Sequence, residues 1–115
     1  MKAHETLRSG ESAVAIFTRG GRFVLHQDGT AETGNWVISR TRRIDKVIIY
    51  KQDQIGTQHE VYLGVPVTIV PSEQEGRRII RLADIKFVGT TSSNWNEFTE
   101  TSAGAVNPIK YVRGR

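Results

Sequence analysis

Residues 60–69 constrain this chain more than any other stretch. Val61, Leu63, Val65, Val67 and Ile69 alternate with Glu60, Tyr62, Gly64, Pro66 and Thr68. Successive side chains of an extended strand point to opposite faces, so a period of two marks a half-buried β-strand. Pro66 has no N–H to offer a ladder, which puts this strand at a sheet edge or gives it a bulge near Gly64. A long strand that bends there suits a small barrel.

The flanking segments read the same way. Residues 13–18 form a compact apolar run, Arg19-Gly20-Gly21-Arg22 a turn, and residues 22–26 a second run. Their spacing predicts a hairpin. Residues 27–35 read as a polar loop and 36–39 as a short strand. Val47-Ile48-Ile49-Tyr50 is apolar on both faces and predicts a central strand. Residues 71–76 form a turn into a strand over 78–82. The apolar phase then slips across Ala83-Asp84 before Ile85 and Phe87, which implies a bulge or turn. Asn94 and Glu97 have the spacing of a capping box for a short helix carrying Trp95 and Phe98. Asn107-Pro108 marks a turn before a last strand over 109–113. Helical periodicity is almost absent. The expectation is a mainly β domain, a small barrel of six or seven strands with one or two short helices. Residues 1–12 read as a loose arm, and 13–115 as a single β-rich domain.

A length of 115 residues suits one core. There is no cysteine, which removes disulfides, thiolate catalysis and cysteine-held zinc. His4, His26 and His59 lie far apart, so no metal is expected. No run of about 18 apolar residues exists to span a membrane. Residues 1–5 lack the apolar middle of a secretory signal, so a cytoplasmic location is the expectation. Gly20-Gly21 and Gly29 fit neither a phosphate loop nor a dinucleotide fingerprint, and there is no G-x-S-x-G elbow. No cofactor is called for. An edge strand leaves room for a homodimer.

The net charge of +4 favours polyanionic partners. Arg40, Arg42, Arg43 and Lys46 cluster beyond Trp36. Arg77, Arg78 and Arg81 form a second group, and Lys110, Arg113 and Arg115 a third near Tyr111. Lysine and arginine neutralise phosphates, and aromatic rings stack on bases. The amides beside the tryptophans, in Asn35-Trp36 and Asn94-Trp95-Asn96, have the chemistry to read a base edge. Against this stand a core role for either tryptophan, a helix cap for Asn94 and an exposed turn for the arginines. One enzymatic pattern is present. Asp84-Ile85-Lys86 has the D-x-K form, with Glu73 upstream, as a Mg²⁺-dependent nuclease requires.

From residue 36 onward the order of features resembles the PUA-like superfamily, in particular its EVE and ASCH branches. The resemblance rests on Trp36-Val37-Ile38, on the run from Ile44-Asp45-Lys46 to Tyr50, and on Glu60-Val61-Tyr62-Leu63-Gly64-Val65. Arg78-Ile79-Ile80 and Trp95-Asn96-Glu97-Phe98 complete it, over about residues 36–98. Ile44 stands where the family has a turn glycine. The resemblance implies a small β-barrel whose concave face binds RNA or a modified nucleobase without chemistry. Trp36, Arg40, Arg42, Arg43 and Trp95 are then the expected nucleic-acid contacts. The leading expectation is thus a non-enzymatic nucleic-acid-binding module. The alternatives are the nuclease of Glu73, Asp84 and Lys86, and a protein-interaction domain that binds through the edge strand at Pro66.

Overall fold

The computed structural model describes residues 1–38, 41–52, 56–101 and 108–115. A 3₁₀ turn, Ala3–Thr6, precedes the strands β1 (Ser12–Thr18), β2 (Phe23–Leu25), β3 (Ala31–Trp36), β4 (Lys46–Lys51), β5 (His59–Pro71) and β6 (Arg78–Thr91). A short helix, α1 (Trp95–Thr99), and the last strand, β7 (Ile109–Arg113), follow. All seven strands join one sheet in the spatial order β2-β3-β6-β5-β4-β1-β7. Only β1 and β4 run parallel; the other neighbours are antiparallel. The mainly β expectation holds, with one short helix.

The two central strands explain the layering. Side chains of β1 and β4 are buried on both faces. Val14, Ile16, Val47 and Ile49 point inward, onto Phe23, Trp36, Ile80 and Leu82. Ala13, Ala15, Ile48 and Tyr50 point outward, under Ala3 and Phe98. The sheet curls around the inner cluster, so that Phe23 of β2 packs 5.4 Å from the Tyr62 ring of β5. The hairpin expected between residues 13–18 and 22–26 does not form. A strand apolar on both faces needs cover on both faces and strand partners on both sides, which β4 and β7 give to β1. β2 is half exposed and pairs with β3 instead.

Residues 31–35, expected as loop, form the strand β3 together with Trp36, which ends this strand and does not open one. Its buried positions are small or polar-compatible, Ala31 and Thr33, ahead of Trp36. Gly34 is required there: a Cβ would lie 2.7 Å from Ile79 Cγ1 on β6. The bend expected near Gly64 is present. The β5–β6 register shifts between Leu63 and Val65, opposite Lys86 and Ala83, and Asp84 takes a left-handed φ of 48°. Pro66 lies past the end of the β4 ladder, which stops at Gly64, so its missing N–H costs no bond to β4.

The arm expected to be loose is docked. Ala3 is fully buried and the Met1 carbonyl accepts from Thr91 Oγ1 at 3.0 Å. Lys2 Nζ donates to the Glu97 carbonyl at 2.9 Å, and His4 Nδ1 lies 2.5 Å from Glu100 Oε1. Ala3 and Leu7 supply apolar contact to the outer cluster. These long-range partners carry no local sequence signal, so the arm reads as loose from its composition alone.

Candidate nucleic-acid interface

The five residues singled out by the sequence do not converge. Trp36 is buried in the inner cluster, and its Nε1–H donates to Thr33 Oγ1 at 2.8 Å. It is a core residue whose polar atom is satisfied, so it has no ring face to give a base; the Arg22 guanidinium lies 5.7 Å from that ring. Trp95 packs against the opposite, outer cluster. Arg40 lies outside the described residues. Arg42 stacks 4.2 Å from the centre of the Tyr111 ring on the edge strand β7. Arg43 is exposed and pairs with Asp45 at 2.9 Å, which lowers the Asp45 carboxyl below its usual range. Arg42, Arg43 and Arg113 line one shallow depression at the start of β1 and the end of β7.

Trp95 opens onto something larger, a cleft of about 800 Å³. Its position follows from the central strands. The parallel register sets Thr18 beside Lys51, so the ends of β1 and β4 place Phe17, Arg19 and Gln52 side by side. Asn94 caps α1, accepting the Glu97 N–H at 2.9 Å, and this fixes the helix that carries Trp95 across the gap. Of the capping box expected from the sequence, the Asn94 side-chain bond is made. Phe17 and Trp95 meet edge to face at 5.7 Å, and Tyr50 lies 5.4 Å from Trp95. Phe17 and Trp95 line the cleft with the cations Lys2 and Arg19, the amides Gln52, Asn94 and Asn96, and the carboxylates Glu97 and Glu100.

Two cations sit against those rings. Arg19 is exposed, 5.8 Å from the Phe17 centroid. Lys110 of β7 is buried, with Nζ 5.6 Å from the Trp95 centroid. It donates to Asn96 Oδ1 at 2.8 Å and to Thr101 Oγ1. Burial lowers the Lys110 pKa, because an ammonium loses hydration there. Beneath, burial pushes the Tyr50 phenol up to about 12, with Glu97 adding to the shift. Its hydroxyl donates to the Ser93 carbonyl at 2.8 Å. Tyr50 is a structural donor and not a proton carrier near neutral pH.

Arg19, Phe17 and Gln52 escaped the sequence reading, because their neighbourhood with Trp95 depends on the parallel β1–β4 pair. Trp95 and its flanking amides were the signal pointing to this place. The nuclease set is scattered. Glu73 lies in the β5–β6 turn beyond the Pro71–Arg78 pair, whereas Lys86 faces Leu63. Eight residues of strand separate Arg78 from Lys86, which is about 25 Å. Among the described residues no group of three histidines, aspartates or glutamates is placed to hold a metal, and no helix is long and apolar enough to cross a membrane. The chain matches no family model, no curated protein and no solved structure in comparisons with each.

Proposed function

We propose that this domain binds single-stranded nucleic acid without chemistry, seating a base against Trp95 in the cleft at the ends of β1 and β4. The observation that carries the reading is the composition of that cleft. A half-buried indole and a phenyl ring offer flat apolar contact, exposed Arg19 offers charge for a phosphate, and three amides offer hydrogen bonds. Stacking on aromatic rings beside a cationic track is how sequence-tolerant single-strand binders work. The edge strand β7 runs from this cleft to the depression at Arg42, Arg43 and Arg113. A strand lying along that edge meets cations at both ends. Trp36 takes no part in this form of the reading, and a modified base is its finer form, at the same cleft.

The test is binding of labelled single-stranded RNA, single-stranded DNA and duplex DNA by fluorescence anisotropy across a salt series. The expected result is tighter binding of single strands, with log K falling against log salt by about 0.7 for each phosphate neutralised. Absence of binding to all three at low salt overturns the proposal.

A second reading rests on a separate observation. Beyond Gly64, β5 is free of β4, and Val67 there is 62% exposed. A groove of about 370 Å³ lies along this edge, between Pro66–Ile69 and Ile44. Addition of a partner's strand at this edge is the protein-interaction alternative. A complex that persists at high salt would favour it.

A further inference from the structure

Building on the strand-addition reading above, and independently of the cleft at Trp95, we infer that the free edge of β5 docks an extended acidic peptide segment. The edge itself comes first. From Thr68 to Val70, β5 pairs with β6 on one side, while on the other side the β4 ladder stops at Gly64. Among the described residues no backbone bond from outside the sheet reaches residues 65–70. The stretch Val65-Pro66-Val67-Thr68-Ile69-Val70 carries no charge, although charged side chains, above all lysine, are what keep exposed edges from pairing. Pro66 blunts it at one position, by withholding an N–H. An uncharged edge with Val67 62% exposed is a template for a further strand.

The groove beside that edge says what the guest strand is. Ile38, Ile44 and Ile69 line it, and all three belong to the inner cluster or pack on it. Alternate side chains of a guest strand point to one face, so apolar groups at every second position extend the core. The ionisable groups lining the groove are Arg42 and Arg78, with no carboxylate beside them. Arg78 lies opposite Pro71, at the end of the free stretch, and Arg42 rests on the Tyr111 ring. Neither has a carboxylate partner among the described residues. Two cations beside an open edge favour acidic residues in the guest and oppose basic ones. No aromatic ring lines this groove, so an oligonucleotide finds nothing there to stack on. A second copy of this chain offers its own uncharged β5 with the same two arginines beside it, so like charges meet.

The experiment measures the anisotropy of a labelled peptide of about eight residues, alternating valine and glutamate. Beside it stand a peptide alternating valine and lysine, and the glutamate peptide methylated on its backbone nitrogens. The expected result is that the glutamate peptide binds about fivefold tighter than the lysine peptide. The methylated peptide, with no N–H to give to β5, does not bind. Arg42→Glu and Arg78→Glu are each expected to shrink the preference for glutamate and together to reverse it. Lys86→Glu, the same change of charge outside the groove, leaves it in place. A preference unmoved by both arginine variants overturns the assignment to this groove, and so does displacement of the peptide by single-stranded DNA, which gives the arginines to nucleic acid. Equal affinity for the glutamate and lysine peptides, with the methylated one inert, overturns the acidic guest and leaves strand addition standing. Undiminished binding of the methylated peptide, or binding of no peptide, overturns both.

Discussion

The two faces of the central strands β1 and β4 are both apolar, yet they are built differently. The inner face meets mostly aliphatic chains, with Trp36 sealed among them and its one polar atom satisfied by Thr33. The outer face is aromatic. Tyr50 touches Phe17, His59, Trp95 and Phe98 at ring separations of 5.1 to 5.7 Å. Aliphatic groups pack densely and leave little room for a polar ligand. Aromatic rings leave flat faces, carry a quadrupole that attracts cations, and bring polar tips. One tryptophan therefore holds the fold, and the other faces a cleft.

That contrast breaks first at the two indoles. Trp36→Ala is expected to cost about 3–5 kcal/mol of stability in urea unfolding, with affinity for single strands unchanged in whatever fraction stays folded. A loss of affinity at full folding would show that the inner face also binds. Trp95→Ala is expected to do the reverse, lowering affinity by about 1–3 kcal/mol through lost stacking, with a smaller loss of stability because the ring is only partly buried. Equal affinity in that variant would remove the base platform.

A finer test lies beneath the cleft. Tyr50→Phe keeps the ring contacts and removes the bond to the Ser93 carbonyl, an expected cost of about 1 kcal/mol. Calorimetry of the pair measures it directly. The smallest effect concerns the arm that covers the outer face. Burial raises the Glu100 pKa, but hydrogen bonds from His4 and Arg115 outweigh it, and the net shift is downward. A lowered carboxylate contributes stability above its ordinary pKa of about 4.3, and this is lost as pH falls through the folded value. Glu100→Gln should therefore be less stable than the parent at neutral pH, with a smaller gap at pH 3. Urea titrations at the two pH values check this, and an equal gap at both would refute it.

Much of this fold is written in local pattern. Val47-Ile48-Ile49-Tyr50 announces a strand covered on both faces because no position in it tolerates water. The alternation through β5 and its break at Gly64 show in side-chain polarity, and the cap at Asn94 shows in spacing. β3 is hidden because Ala31 and Thr33 fill its inward positions without the bulk that marks a strand. Of the candidate site, Trp95 and its amides were legible. Arg19 and Gln52 were not, since only a parallel pairing between strands far apart in sequence joins them. Trp36 misled because a tryptophan beside an arginine cluster looks the same in sequence whether its ring is buried or bare.

The parallel β1–β4 pair also dictates an order of assembly. β5 and β6 share a tight turn and can meet early, whereas β1 must wait for β4 and then for β7, near the far end of the chain. Closing such distant contacts is slow. Substitutions in the β5–β6 hairpin are expected to slow folding, and those in β7 to speed unfolding. Until β7 arrives, β1 presents an unpaired edge on a strand with two greasy faces, which makes the interval before that last pairing the time when this chain is most exposed to aggregation.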